Sequence, residues 1–169
     1  MMFETACLGA QPISEELREK RLEPFIAGIR AALGEMAQIE LVIRTVCRTA
    51  LPHPLGDIAA VVGFSSATGG SLIFGYPHQT AAALSRRILS GVTEEVDEGL
   101  IRDCLGEIAN VAAGQAKALL ADTPYRLSFS LPRVVEAHDP ELCPSRGLDC
   151  LLVILASDVG EFALHLTPV

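Results

Sequence analysis

The stretch Asp103-Cys-Leu-Gly-Glu-Ile-Ala-Asn-Val-Ala-Ala-Gly-Gln-Ala-Lys117 decides the fold of this chain, because it carries two different faces at helical spacing. One face is apolar and is predicted to pack on the core; with its neighbours it comprises Ile101, Cys104, Leu105, Ile108, Ala112 and Leu119. The opposite face spreads over roughly 80° of the helix and comprises Asp103, Glu107, Asn110, Gly114 and Lys117. We therefore predict a helix that packs on one side and offers the other side to a partner.

Two residues of the polar face are unusual for a solvated helix. Asn110 is the only asparagine in the chain, and an asparagine in mid-helix competes for backbone hydrogen bonds. Gly114, one turn later, costs about 1 kcal/mol relative to alanine in a helix interior, so its expected benefit is the close approach of another surface. Other interpretations stay open. An acid three positions before an amide is common by chance, Gly114 would equally suit packing within the chain, and Lys117 would suit a solvated pair with Asp103 or another neighbour.

Outward from this helix, the patterns predict two further helices and several strands. A first helix is predicted between Ile13 and Gln38 with a break or a fresh start near Pro24, a shorter one from Pro77 to Leu89, and the long one from the acidic residues 94–98 to about Ala121. The predicted strands are 39–48, 57–64, 71–76, 126–135 and 149–166, the last being two strands joined at 157–160. A loop is predicted at 140–147.

This order of elements predicts the fold class. Two blocks of strands with hairpins, interrupted by long helices, indicate an α/β sandwich rather than a purely parallel sheet. Residues 1–169 are predicted to form a single domain, in which about the first twelve residues are a candidate flexible segment.

Motifs for other chemistry are weak. The connection 65–70, Ser-Ser-Ala-Thr-Gly-Gly, has neither a GxGxxG nor a GxxxxGK pattern, so a plain turn is favoured over a phosphate cradle. Five cysteines without a CxxC pair argue against a disulfide framework and a zinc knuckle. A sparse metal set could be drawn from His138, Cys143 and Cys150, but its spacing matches no common pattern, and small core or loop residues are the favoured interpretation.

Composition limits the classes of partner. Half of the residues are hydrophobic and 20% are charged, which predicts a folded chain with a large core. A net charge of −8 disfavours nucleic-acid binding. There is neither an apolar run near the roughly 20 residues of a membrane span nor a start typical of a secretion signal, so a cytoplasmic location without membrane contact is predicted. The high apolar content favours a homodimer.

The segment 103–117 resembles the signature helix of the CheX branch of the CheC-like chemotaxis phosphatases, whose core is ExxNxxxG. Further matches lie in Glu23-Pro-Phe-Ile with Met36, in Gly69-Gly-Ser-Leu-Ile-Phe and in Ser130-Leu-Pro. The resemblance therefore covers nearly the full chain, from about Leu22 to Leu166. It implies a CheC-like α/β sandwich with two long helices packed on a largely antiparallel sheet, and a homodimer formed by sheet extension.

The resemblance also implies a function: hydrolysis of the aspartyl phosphate of a response-regulator receiver domain. Glu107 and Asn110 would be the catalytic pair, with Asn110 orienting the attacking water and Glu107 pairing with a receiver lysine. Asp103, Gly114 and Lys117 would contact the partner. Magnesium is expected on the receiver, so no cofactor is expected on this chain.

The sequence departs from the family pattern in both the first helix and the signature helix. Where the two-site CheC pattern has a second ExxN, the first helix has Glu35-Met-Ala-Gln38, which implies one site per chain. Gln115 follows Gly114 where many relatives have asparagine.

A non-catalytic CheX-like module that binds a receiver or another signalling protein is the main alternative function. A small-molecule or metal enzyme has no motif in its favour.

Overall fold

The computed structural model describes residues 13–14, 21–50, 56–65, 69–123, 126–136, 139, 142 and 149–167. The candidate flexible segment at residues 1–12 and the predicted loop at 140–147, apart from Leu142, lie outside the described residues. The single-domain organisation stays a prediction.

Among the described residues, three helices pack on the sheet: α1 is Glu23–Ala37, α2 is His78–Ile88 and α3 is Glu98–Leu120. Pro24 lies in the first turn of α1, where its missing N–H leaves no intrahelical bond unmade. The predicted start of α2 at Pro77 is one residue early, because Pro77 keeps an extended backbone and the His78 amide donates to Asp57 Oδ2 at 2.8 Å. Helix α3 begins after Asp97, whose carboxylate accepts a hydrogen bond from the Leu100 amide at 2.9 Å.

Within the described ranges, seven strands form one sheet. Their bounds are β1 Val42–Ala50, β2 Ile58–Ser65, β3 Gly70–Tyr76, β4 Ser128–Phe129, β5 Arg133–Glu136, β6 Asp149–Ser157 and β7 Gly160–Thr167. The order is β1-β6-β7-β3-β2, and both β4 and β5 pair with β2 at the far edge. Each of these pairings is antiparallel, as in the β2–β3 hairpin, where Val62 lies opposite Leu72. The predicted fold class, two long helices on a largely antiparallel sheet, is confirmed.

The prediction of one continuous strand at 126–135 is wrong. The segment 126–135 was expected to be a single strand, but it is divided into β4 and β5. Phe129 pairs with Phe64 and Arg133 pairs with Val61, so three residues of this edge, 130–132, lie opposite two residues of β2. The extra residue makes a β-bulge, which interrupts the ladder and bends the edge of the sheet.

The main core lies between the helices and one face of the sheet. Strand residues that alternate along β2, β3, β6 and β7 meet buried residues of all three helices there. Smaller apolar clusters, one around Ile73 and Leu142 and one around Leu152 and Ala163, lie on the other face. The helices therefore form a single layer, and the side of α3 away from this core is available to solvent.

No helix within the described ranges combines the length and the apolar content that crossing a bilayer requires.

Candidate functional site on helix α3

The structure divides α3 into a buried side and an exposed side. Its buried residues are Ile101, Cys104, Leu105, Ile108, Ala109, Ala112, Ala113, Ala116 and Leu120. The five residues predicted to form a polar face are all exposed: Asp103, Glu107, Asn110, Gly114 and Lys117. They are called the α3 polar face below. The sequence thus located this surface correctly.

Leu119 is the exception on the apolar side, because it is 55% exposed although it was expected to pack on the core. The buried positions drift around the helix, from Ile101 and Leu105 in the first half to Ala116 and Leu120 at the end. The assumption that buried residues follow one straight stripe, at about 100° per residue, is therefore valid only over part of the helix. At the C-terminal end, Leu120 takes the core position and Leu119 turns towards solvent.

Glu107 and Asn110 lie side by side near the middle of α3. Residues three apart on a helix are neighbours, separated by about 4.5 Å along the axis. Within the described ranges neither side chain makes a hydrogen bond or an ion pair. Ala109 and Ala113, which flank Asn110, are 0% and 4% exposed, so they leave the carboxamide unobstructed. An acid and an amide with free hydrogen-bonding capacity are therefore presented together.

Gly114 has open space where a side chain would be. A Cβ built at this position has no other described atom within 4 Å outside its immediate neighbours and its own helix backbone. The interpretation of Gly114 as a glycine that packs within the chain is therefore not supported by the described residues. The remaining interpretation is that the absence of a Cβ lets another surface approach more closely beside Asn110.

Lys117 and Asp103 do not form the pair considered from the sequence. Fourteen residues separate them on one continuous helix, which corresponds to about 21 Å along the axis. Lys117 instead borders a surface groove of about 470 Å³ at the end of α3, lined also by Ser65, Ala121, Asp122, Arg126, Leu127 and Ser128.

Arg102 ties the first half of α3 to strand β5. Its Nη1 donates to the Val134 carbonyl oxygen at 3.2 Å, and its Nη2 donates to the Glu136 carboxylate. One turn later, a Cβ at Gly106 would lie 3.7 Å from Val134 Cγ2, an ordinary contact distance. The two Arg102 interactions connect α3 to the sheet edge. Sequence reasoning missed Arg102, because its partners lie more than thirty positions away and no local pattern points to them.

Cys104 lies on the buried side of the same helix. Burial raises the pKa of its thiol, and a hydrogen bond with Ser85 opposes that rise. A thiol with a raised pKa is a poor nucleophile at neutral pH. Cys104 is therefore not a candidate nucleophile, and the candidate residues of α3 are those of its polar face.

The first helix does not repeat the arrangement. Glu35 is exposed in the last turn of α1, but Gln38 is the C-cap residue, with a left-handed backbone at φ 54° and ψ 40°. The Gln38 side chain therefore does not project from the helix in line with Glu35. The two side chains are not helical neighbours as those of Glu107 and Asn110 are. One site per chain stays a prediction, which this geometry supports.

Most of the sparse metal set lies outside the described residues, so the fold does not test it. Cys150 is buried in β6, whereas His138 and Cys143 lie outside the described residues. Among the described residues, no group of three or more His, Cys, Asp or Glu side chains is arranged to hold a metal ion. Of the connection at 65–70, residues 66–68 also lie outside the described ranges, and its ends lead into the β2–β3 hairpin.

Comparisons with known sequences match this chain to one family. Residues 58–155, more than half of the chain, match the family model described as chemotaxis phosphatase CheX. The chain is 27% identical over 123 residues to the CheY-P phosphatase CheX of Thermotoga maritima, covering 73% of this chain and 77% of the relative.

Solved structures share the fold. The crystal structure of a chemotaxis protein CheX from Desulfovibrio desulfuricans superposes with a TM-score of 0.71 at 22% identity, covering 89% of this chain and 97% of that one. A CheX–CheY–BeF3–Mg²⁺ complex from Borrelia burgdorferi superposes with a TM-score of 0.67 at 19% identity, covering 86% of this chain and 95% of that one.

Proposed function

Because the chain belongs to the CheX family of chemotaxis phosphatases, we propose that it hydrolyses the aspartyl phosphate of a response-regulator receiver domain, with Glu107 and Asn110 as the catalytic pair. The observation that carries the proposal is that this acid and this amide stand exposed and without a described partner in the middle of α3. The names of two relatives support the substrate class, one being a CheY-P phosphatase and the other a complex of CheX with CheY.

Asn110 is assigned to the attacking water. Phosphoryl transfer depends mainly on in-line positioning and on stabilisation of charge. A carboxamide can accept a hydrogen bond from the water and donate one to a phosphoryl oxygen while remaining uncharged. The water oxygen bonds to phosphorus as the bond from phosphorus to the aspartyl oxygen breaks, giving inorganic phosphate and a free carboxylate. Asn110 would orient the water rather than remove its proton.

Glu107 is assigned to docking. Its carboxylate would pair with a lysine beside the phosphorylated aspartate of the receiver, and the pair would lose water on binding. Removing one partner of such a desolvated pair costs several kcal/mol, about 2–5. The other members of the α3 polar face, Asp103, Gly114 and Lys117, would border the contact.

Magnesium is assigned to the receiver. The acidic residues of the receiver would hold the ion next to the phosphoryl group, where it neutralises developing charge. The proposal therefore requires no cofactor on this chain, and the partner is a protein rather than a nucleic acid or a membrane.

Assembly and location are further proposals. Strand β1 is nine residues long and lies at one end of the described strand order, next to β6, which is the position from which a sheet could extend to a second copy. A homodimer of this kind and a cytoplasmic location remain expectations.

The deciding experiment mixes the purified chain with phosphorylated receiver domains from the source organism and follows loss of the acyl phosphate. The wild type should shorten the phosphate lifetime of at least one receiver, and Asn110→Ala should remove most of that effect while binding is retained. Gln79→Ala is the matched control, because it removes an exposed amide from α2, outside the α3 polar face. Unchanged lifetimes across all receivers would refute hydrolysis, and binding without turnover would identify a non-catalytic module.

A further inference from the structure

Leu131 is the most exposed large hydrophobic residue in the described part of the chain, with 82% of its surface accessible. It occupies the centre of the β-bulge at 130–132, between β4 and β5. Single exposed apolar residues are common and by themselves indicate nothing. The position of Leu131 in the fold and the way its backbone is held distinguish it.

The backbone next to Leu131 is held by the hydrogen bonds of Ser130. The Ser130 amide donates to the Gly63 carbonyl oxygen at 2.8 Å, and the Gly63 amide donates to Ser130 Oγ at 3.0 Å. Ser130 Oγ in turn donates to the Leu131 carbonyl oxygen at 3.2 Å. Pro132 follows with its φ fixed by the ring. Leu131 is thus displayed on an ordered backbone, and ordering it further on binding costs little entropy.

The bulge lies beside the α3 polar face. Arg102, Gly106, Asn110 and Gly114 are spaced by four and form one row along α3. Arg102 donates to the Val134 carbonyl oxygen, the Gly106 backbone faces the Val134 side chain, and the last two members are exposed.

Helix α3 runs antiparallel to this sheet edge. Arg102 contacts residues 134 and 136, whereas Lys117, near the other end of the helix, shares a groove with Ser128. From Gly106 to Asn110 is about 6 Å along the helix, and from Val134 back to Leu131 is up to about 10 Å along the strand. Leu131 therefore lies near the level of Asn110 and Gly114, on the flank of the helix that faces the sheet edge.

We infer that Leu131 is the apolar contact of the receiver-docking surface, whose polar contacts are supplied by the α3 polar face. The inference rests on the proposed function, because the occupant is the receiver domain that presents its aspartyl phosphate to Asn110. The inference requires that this domain offer an apolar surface beside its phosphorylated aspartate, against which Leu131 would pack. Bulges at a sheet edge commonly redirect a side chain next to a functional site, and here the redirected side chain is large and apolar.

The test is a binding measurement with Leu131→Ala, using a receiver loaded with beryllium fluoride and Mg²⁺ as a stable mimic of the acyl phosphate. We expect the Kd to rise about tenfold, the size expected when most of a buried leucine side chain is removed from a contact. With the phosphorylated receiver, KM should rise while kcat stays unchanged. Leu119→Ala is the matched control, because Leu119 is an exposed leucine at the end of α3 outside its polar face.

Each outcome separates the inference from the proposed function. Weaker binding by Leu131→Ala but not by Leu119→Ala supports the inference, even if the wild type removes no phosphate. Equal binding by both variants and the wild type overturns the inference and leaves the phosphatase proposal standing. A wild type that binds no loaded receiver overturns both. Loss of self-association with receiver binding unchanged would make Leu131 a contact between copies, which also overturns the inference.

Discussion

Gly28 of α1 lies directly against the backbone of Ala112 of α3: a Cβ built on Gly28 would be 2.4 Å from the Ala112 carbonyl oxygen. No side chain fits at that distance, so the two helices approach this closely only because position 28 is glycine. Gly114, two residues further along α3, faces open space. Two glycines in neighbouring parts of the fold therefore have opposite roles, one within the chain and one at its surface.

Gly28→Ala should lower the free energy of unfolding by about 1–3 kcal/mol, because the added methyl overpacks the contact between two backbones. Urea unfolding followed by circular dichroism would measure the change. Gly34→Ala is the control on the same helix, where a Cβ meets nothing described within 4 Å. It should raise stability by about 0.5–1 kcal/mol. A stabilising effect of Gly28→Ala would contradict the close approach.

Gly114→Ala should stabilise the isolated chain by about 0.5–1 kcal/mol, because alanine favours the helix and the site has room. The same change should raise KM for a phosphorylated receiver, since the methyl group stands where the partner approaches. Gly34→Ala should bring the stability gain without the effect on KM. If Gly114→Ala leaves KM unchanged, Gly114 has no part in docking.

Arg102→Ala should reduce kcat/KM several-fold through the position of α3 and not through contact with the substrate. It removes the hydrogen bond to the Val134 carbonyl oxygen and the ion pair with Glu136. Because both groups of the ion pair are partly exposed, the loss of stability should stay near 1 kcal/mol.

Glu136→Gln is the companion to Arg102→Ala. It keeps a hydrogen-bond acceptor for Arg102 and leaves the Val134 contact in place, so its effect on kcat/KM should be smaller. Equal losses in the two variants would show that the ion pair, and not the contact with the strand backbone, positions the helix.

Tyr76→Phe should leave stability at neutral pH unchanged or slightly higher. The Tyr76 hydroxyl is fully buried and has no hydrogen-bond partner within the described ranges, so removing it leaves no described group unsatisfied. The phenyl ring would keep its stacking on Phe162, whose centroid is 5.0 Å away. A loss of more than about 1 kcal/mol in thermal or urea unfolding would indicate that the hydroxyl has a partner.

The same tyrosine predicts a dependence on alkaline pH. Burial raises the pKa of Tyr76 far above its ordinary value, so above about pH 10 the unfolded chain releases this proton while the folded chain retains it. The unfolded state then binds fewer protons, and the free energy of unfolding falls as pH rises. Tyr76→Phe should remove this part of the fall between pH 9 and 11. Parallel pH profiles for the two proteins would contradict it.

The sequence by itself predicted most of the elements and the exposed face of α3 from local periodicity, whereas the choice of Glu107 and Asn110 within that face came from the family resemblance. Spacing along 103–117 was enough to place Glu107 and Asn110 on an exposed helical face, and the strand patterns predicted the hairpins of β2 with β3 and of β6 with β7. Such patterns depend only on the 3.6-residue and 2-residue repeats of helices and strands.

Only the tertiary structure decided what depends on residues distant in the chain. It separated the packing role of Gly28 from the open surface at Gly114, turned Leu119 out of the core and placed Leu131 on a bulge. It also brought Arg102 to Val134 across thirty-two positions. The physical reason is that close packing and strand pairing depend on which surfaces meet in the fold. The spacing of residues along one helix or strand does not show which other element it will pack against.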